Sequence, residues 1–161
     1  MPSPTRPGLH AVLAACGGFL AAVLWMDLMF DVQALRTSAS LPEGVVASIA
    51  GYYRRVTIDA DPMRRLIGAV MLVLLGGAAW SAVRRGTPAF ARVAAAVGIA
   101  PVALAVGRVF PNAMRLGDRV GTLAEQSDLA RGIAHDHVAC FVAMAAFVVC
   151  QVLAVRRSGR E

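Results

Sequence analysis

The chain contains no lysine, and its arginines do not gather into one basic stripe. Its net charge is +6, with 16 basic and 10 acidic residues, but most arginines stand in pairs or singly near the ends of apolar runs. Proteins that bind nucleic acid concentrate positive charge on one face or along one helix instead. The charge pattern therefore argues against a nucleic-acid partner.

The motifs that identify many soluble enzymes are also missing. There is no CxxC, GxSxG, GxGxxG or P-loop pattern, and Cys16, Cys140 and Cys150 all fall within apolar runs. A buried cysteine usually behaves as a small apolar side chain. These absences disfavour thiol exchange, nucleophilic hydrolysis and nucleotide chemistry. They leave open whether the protein is an enzyme, and they point to no cofactor.

What the chain has in abundance is apolar sequence, with 58% hydrophobic residues and a mean hydropathy of +0.63. The runs at 66–83 and 138–155 hold 18 residues each without an ionisable group, which is the length of a membrane span. Two further runs reach about 20 residues by including Asp27 or Arg108 near one end. The pattern predicts one all-α domain over 1–161, an integral membrane four-helix bundle. The predicted spans are 9–30, 62–84, 90–111 and 134–155.

A short amphipathic helix is expected between the first two spans, at about 41–57. Val45, Ile49, Tyr52 and Val56 recur there at helical spacing, and the sequence is too polar to cross a bilayer. Ser40 and Glu43 have the spacing of a capping box, so we expect Ser40 to cap this helix. Tyrosines favour the headgroup region, which predicts that the helix lies at the membrane interface or over the bundle.

The arginine distribution predicts the orientation in a cell membrane. The loop between the second and third spans carries Arg84, Arg85 and Arg92 without an acid, and the tail adds Arg156 and Arg157. Short loops rich in arginine stay cytoplasmic, so both termini are predicted to be cytoplasmic. DLMFDVQ after the first run offers no small-x-small cleavage site, and the run is expected to remain as a helix. Nine of the ten acids then lie on the outer side.

Polar residues at the outer ends of the spans are the candidates for a site. Asp27 and Asp31 are four residues apart, which places them on one helix face, and charged groups at membrane depth are costly without a partner. The sequence predicts an Asp27–Arg108 pair at matched depth. The other candidates for binding or proton handling are Asp31, Asn112, Arg115 and His135. The alternative is that these groups only lock helices together and extend to the interface.

A metal site is not predicted at the His135-x-His137 pair. Residues two apart on a helix point in different directions, so they seldom bind one ion. His10 lies at the opposite end of its span from this pair, which excludes a haem held by His10 and His135.

The segment RVFPNAMRLG, at the outer end of the third span of a four-span chain, resembles the anthrone-oxygenase-like family of small bacterial membrane proteins. In that family a Pro and an Asn follow an apolar stretch at a comparable place, here Pro111 and Asn112. The resemblance implies a cofactor-free, oxygenase-like activity on an aromatic substrate, with Asn112 and Arg108 as site residues. WMDLMFD in the first span departs from the family, in which that region is expected to be uncharged.

Two classes of function follow. In the first, the outer end of the bundle binds or transforms a small lipophilic molecule, quinone-like or aromatic. Arg108 and Asn112 would hold its polar head, and Asp27 or His135 would handle a proton. In the second, the chain is a non-enzymatic accessory or assembly subunit of a larger membrane complex, or a homo-oligomer, and docks through its small-residue faces. A cavity beside Pro101 would favour the first class.

Overall fold

The computed structural model describes residues 7–36 and 40–158, and within these ranges it confirms an all-α bundle. The described residues form six α-helices, of which the second is short. The fourth and fifth follow each other without a loop. Their bounds are α1 Pro7–Asp31, α2 Glu43–Arg54, α3 Asp61–Val83, α4 Ala89–Leu104, α5 Phe110–Gly117 and α6 Leu123–Ser158.

By length and composition, the structure offers candidate membrane spans at Gly8–Asp31, Asp61–Val83, Ala89–Gly117 and Leu123–Arg157. All four expose large apolar side chains: Val12 of α1 is 49% exposed, Leu72 of α3 71%, Val93 of α4 61% and Val142 of α6 62%. A protein surrounded by water rarely exposes so much contiguous apolar surface, whereas lipid accommodates it without cost. These four helices fit a multi-pass membrane protein.

α6 has 36 residues and is about 54 Å long, well beyond the hydrocarbon thickness of a bilayer. It begins at Leu123 rather than at residue 134, because a capping box starts it. The Glu125 carboxylate accepts hydrogen bonds from the backbone N–H and hydroxyl of Thr122, and Thr122 Oγ1 accepts one from the Glu125 N–H. The predicted capping box at Ser40 is wrong: α2 begins at Glu43, Pro42 precedes it, and no side chain caps it.

α2 lies across one end of the bundle and buries Val46, Ile49, Ala50 and Tyr53 against α5 and α6. The Leu41 N–H before it donates to Ser127 Oγ of α6 at 3.1 Å, and Glu43 pairs with Arg119 in the loop between α5 and α6. α2 therefore covers the bundle. We call this end, where α1 ends and α3 and α6 begin, the α2 end.

A π-helical segment at Ala105–Val109 joins α4 to α5. Pro101 lies one turn before it and lacks the N–H that an α-helix would use. The cysteine thiol of Cys140 on α6 points to the Pro101 carbonyl oxygen at 3.6 Å. A π segment inserts one residue into the turn, so every side chain after it is rotated by about 100° from its place in a regular helix.

The core has two parts, one under α2 and one in the middle of the spans. Phe147 of α6 is fully buried in the second part, beside Gly17 of α1 and Gly98 of α4. At the end opposite α2, His10 Nδ1 of α1 lies 2.7 Å from Gln151 Oε1 of α6. This hydrogen bond joins the two helices at that end. The cytoplasmic placement of the termini stays a prediction, and residues 1–6 and 159–161 lie outside the described residues.

Candidate functional site

Five polar side chains from three helices meet at the α2 end. α1 supplies Asp27 and Asp31, α2 supplies Tyr52 and Tyr53, and α6 supplies His137. We call these residues the Asp–His cluster. The spacing of four on α1 brings both carboxylates to the same side of that helix, and α2 packs its consecutive tyrosines over them.

The innermost part of the cluster is a fully buried carboxylate. Asp31 has no exposed surface, and its two oxygens have different donors: Oδ1 accepts from the Tyr53 hydroxyl at 2.6 Å, and Oδ2 lies 2.6 Å from His137 Nδ1. A carboxylate can only accept, so Nδ1 carries the hydrogen of this contact. His137 Nε2 is the ring nitrogen that takes no part in this contact.

The outer part of the cluster is Asp27. Its Oδ1 accepts a hydrogen bond from the Tyr52 hydroxyl at 2.6 Å, and its Oδ2 lies 3.9 Å from His137 Nε2. That separation is too long for a hydrogen bond but short enough for one ligand atom to contact both. Within the described part of the chain, no side chain hydrogen-bonds to Nε2 or to Asp27 Oδ2.

Both tyrosines serve as neutral donors. Burial raises the pKa of Tyr52, and the Asp27 carboxylate raises that pKa further because a phenolate would repel it. Burial and the Asp31 carboxylate raise the pKa of Tyr53 in the same way. Each hydroxyl therefore keeps its proton and holds its carboxylate in the acceptor role. Tyr52 also stacks on Phe30 with ring centroids 4.0 Å apart, which fixes its direction.

A cavity of about 540 Å³, which we call the chamber, opens directly beneath the cluster. α1, α2, α3, α4–α5 and α6 all line it. Its polar end is formed by Asp27, Tyr52, Tyr53 and His137, and the remaining wall is almost wholly apolar and includes Pro101. Five of the seven methionines in the chain face it: Met26, Met63, Met71, Met114 and Met144.

Two methionines that line the chamber, one on α3 and one on α5, are also partly exposed. Met63 on α3 and Met114 on α5 both line the chamber and are 46% and 49% exposed. Methionine side chains adapt to the shape of what they contact and interact favourably with aromatic rings.

The predicted Asp27–Arg108 pair is wrong. The Arg108 guanidinium binds Asp136 of α6, with Nε 2.9 Å from Oδ2. Arg108, Asn112 and Arg115 do share one face, as their spacing predicted, but they line a separate polar groove with the first turns of α6. The physical reason is a competing partner: Asp136 of α6 lies at the same end of the bundle and contacts Arg108, whereas Asp27 contacts Tyr52 and faces His137.

His135 is exposed, and His137 is the histidine of the cluster. The two side chains point in different directions from α6, so only one can face the interior. The sequence contains a pattern that distinguishes His137 from His135. His137 lies on the buried stripe of α6, with Ile133, Cys140, Met144 and Phe147, whereas His135 does not.

No group of three or more metal-ligating side chains that could hold an ion occurs in 7–36 and 40–158. Comparison with protein-family models, curated proteins and solved structures gives no match for this chain. The anthrone-oxygenase-like resemblance therefore stays a prediction. The two residues that it would assign to a site, Arg108 and Asn112, lie in the polar groove and not in the chamber.

Proposed function

We propose that this protein binds a small lipophilic molecule in the chamber, with the polar group of that molecule against Asp27 and His137. The single observation that carries the proposal is the joining of a large apolar cavity to a buried, hydrogen-bonded ionisable cluster at one end. Ligand sites typically enclose about 300–1,000 Å³, with apolar walls and few polar groups. The chamber, at about 540 Å³, lies within that range.

The wall supports a flat or aromatic ligand body, quinone-like or otherwise. Methionine sulphur contacts ring edges favourably, and the Tyr52 ring stands at the polar end. The partly exposed Met63 and Met114 in the chamber wall support entry of the ligand between α3 and α5. A chamber beside Pro101 favours this function over an accessory or assembly subunit, which would need no internal space.

The cluster also supports proton exchange with the bound molecule. Asp31 holds His137 through Nδ1, so Nε2 is directed toward the ligand space in a fixed orientation. An imidazole held by a buried carboxylate is a common arrangement for a general acid or base. If the arginine distribution sets the orientation, this exchange takes place in the outer leaflet.

The test is to fill the chamber with a larger side chain and to measure which bound molecule is lost. A Cβ at Gly68, which lines the chamber on α3, would meet nothing within 4 Å, so the side chain of Gly68→Leu begins in open space and extends into the cavity. Gly76→Leu is the matched control, because Gly76 lies on the same helix, is equally open and does not line the chamber. Each protein is purified in mild detergent, and its bound small molecules are extracted and identified by mass spectrometry.

We expect a lipophilic molecule at a fixed ratio with the wild type and with Gly76→Leu. The same molecule should be strongly depleted from Gly68→Leu. Equal recovery from all three proteins would contradict the proposal, since that molecule would then be bound outside the chamber.

A further inference from the structure

We propose that the chamber selects a lipophilic organic cation, and that the cation and a proton compete for the Asp–His cluster. This inference rests on the proposed function and names the class of its ligand. It follows from the balance of charges around the polar end, from the two unused polar atoms there, and from the size and apolar wall of the space below them.

The charges that face the cluster do not balance within the protein. α1 contributes Asp27 and Asp31, α2 contributes the two neutral tyrosines, and α6 contributes His137 together with the thiol of Cys140. α3 contributes Arg64, whose guanidinium is already bound to Asp61 at 2.5 Å and is largely exposed. The lining residues of α4–α5 are all uncharged.

With both carboxylates ionised, even a protonated His137 leaves the cluster with one negative charge in excess. An unpaired charge at membrane depth is strongly unfavourable. It can be neutralised by one proton or by one positive charge on a ligand. Binding of either one opposes binding of the other, by the reciprocity of coupled equilibria.

The free polar atoms indicate where the positive group lies. His137 is 95% buried by side-chain area, with Nδ1 bound to Asp31 and Nε2 facing Asp27 Oδ2 across 3.9 Å. Tyr52 already donates to the other oxygen of Asp27. Tyr52 and Tyr53 also line this end of the chamber, and aromatic rings attract positive charge.

The volume and walls exclude a small inorganic ion as the preferred ligand. A chamber of about 540 Å³ lined by methionine, leucine and valine side chains offers too few oxygen ligands for a hydrated or coordinated metal ion. It suits an organic cation whose charge is surrounded by hydrocarbon.

Tetraphenylphosphonium is the probe, and triphenylphosphine oxide is its neutral counterpart of related shape. Binding of each is measured by equilibrium dialysis against the purified protein in a nonionic detergent, with protein-free micelles subtracted. We expect one phosphonium ion per chain, with affinity that rises about tenfold per pH unit through the titration of the cluster and then levels off. Calorimetry in two buffers should show release of about one proton at the acidic end.

Asp27→Asn should weaken phosphonium binding by at least about tenfold and reduce its pH dependence, because the carboxylate that lines the chamber is then replaced by a neutral amide. Asp27→Glu keeps the charge and should keep the pH dependence, which separates charge from folding. Asp128→Asn is the control, since Asp128 is an exposed acid on α6 that pairs with Arg131 outside the chamber.

Tighter binding of the phosphine oxide, or phosphonium binding that ignores both pH and Asp27→Asn, would overturn the cation inference and leave the lipophilic site in place. Binding of neither probe, together with equal small-molecule recovery from Gly68→Leu, would overturn the proposed function as well.

Discussion

His137 Nδ1 lies 2.6 Å from Asp31 Oδ2, between residues 106 positions apart on the first and last helices of the bundle. Asp31 is fully buried and His137 is nearly so, which makes the contact a buried polar link between α1 and α6. Such links are costly to break because the remaining partner is left without a counterpart in a low dielectric. The consequences can be measured.

Asp31→Asn and His137→Gln should each lower the free energy of unfolding by about 3 kcal/mol. The double variant should lose much less than the sum, with a coupling energy of about 1 to 3 kcal/mol, because each single change already removes the contact. Equilibrium unfolding in mixed micelles provides the measurement. Strictly additive losses would show that the two side chains do not act together.

The two tyrosines should respond differently to removal of their hydroxyls. Tyr53→Phe deprives the fully buried Asp31 of a donor and should cost about 2 kcal/mol. Tyr52→Phe affects Asp27, whose side chain is 13% exposed whereas that of Asp31 is fully buried, so its cost should stay below about 1 kcal/mol. Unfolding of the two variants under identical conditions checks the order, and a larger loss for Tyr52→Phe would contradict the assigned environments.

The pKa shifts of the tyrosines predict how stability depends on alkaline pH. Both pKa values are raised in the folded protein, so the folded state holds its phenolic protons more tightly than the unfolded state does. Their contribution to stability is complete below the ordinary tyrosine pKa of about 10 and is lost as the pH rises through the folded values. Stability should therefore fall above that pH.

The chain has only two tyrosines, so phenolate absorbance reports on this pair alone. We expect the absorbance to rise only together with unfolding. The Tyr52→Phe/Tyr53→Phe double variant should show a shallower alkaline loss of stability, even though it is less stable near neutral pH. Free titration of both phenols in the folded protein would refute their burial.

The ion pair between Arg108 and Asp136 leads to a separate prediction. Double-mutant cycles should couple Arg108→Gln with Asp136→Asn, whose side chains lie 2.9 Å apart, and should find no coupling of Arg108→Gln with Asp27→Asn. Coupling energies for close charged pairs are about 0.5 to 3 kcal/mol, whereas distant sites add. The opposite result would restore the pair that helix depth alone had suggested.

The bundle could be predicted from run lengths, because the bilayer sets the number of apolar residues that a span needs. Asp27 and Asp31 could be singled out for a related reason: ionisable groups at that depth require partners. Their partners could not be found by depth. Asp27 and Asp136 lie at the same end of the bundle, so depth does not distinguish them, and only the packing of the helices places Asp136 beside Arg108.

Another part of the site could be predicted from the residue pattern of α6. The buried stripe of α6 extends through Ile133, Cys140 and Met144 and selects His137 over His135. The tyrosines were harder to assign, because their residue type favours both the headgroup region and a buried hydrogen bond. Only the packing of α2 across the end of α1 places Tyr52 beside Asp27 and Tyr53 beside Asp31.

The close packing of α1, α4 and α6 around Phe147 predicts which glycines cannot change. A Cβ at Gly98 would lie 2.6 Å from two ring carbons of Phe147, whereas a Cβ at Gly18 would meet nothing within 4 Å. Gly98→Ala should therefore cost about 1 to 3 kcal/mol through overpacking. Gly18→Ala should cost nothing and can stabilise its helix by about 0.5 kcal/mol.

Replacing Phe147 by the smaller Leu should relieve Gly98→Ala if the clash is with the ring. Gly98→Ala/Phe147→Leu should then be more stable than the sum of its single changes predicts, in the same unfolding assay. Because α4 also carries Pro101 and the wall of the chamber, recovery of stability should be accompanied by recovery of the bound lipophilic molecule. If Phe147→Leu instead adds its full cost to that of Gly98→Ala, the Phe147 ring does not lie against Gly98, and the alignment of α4 with α6 must be different.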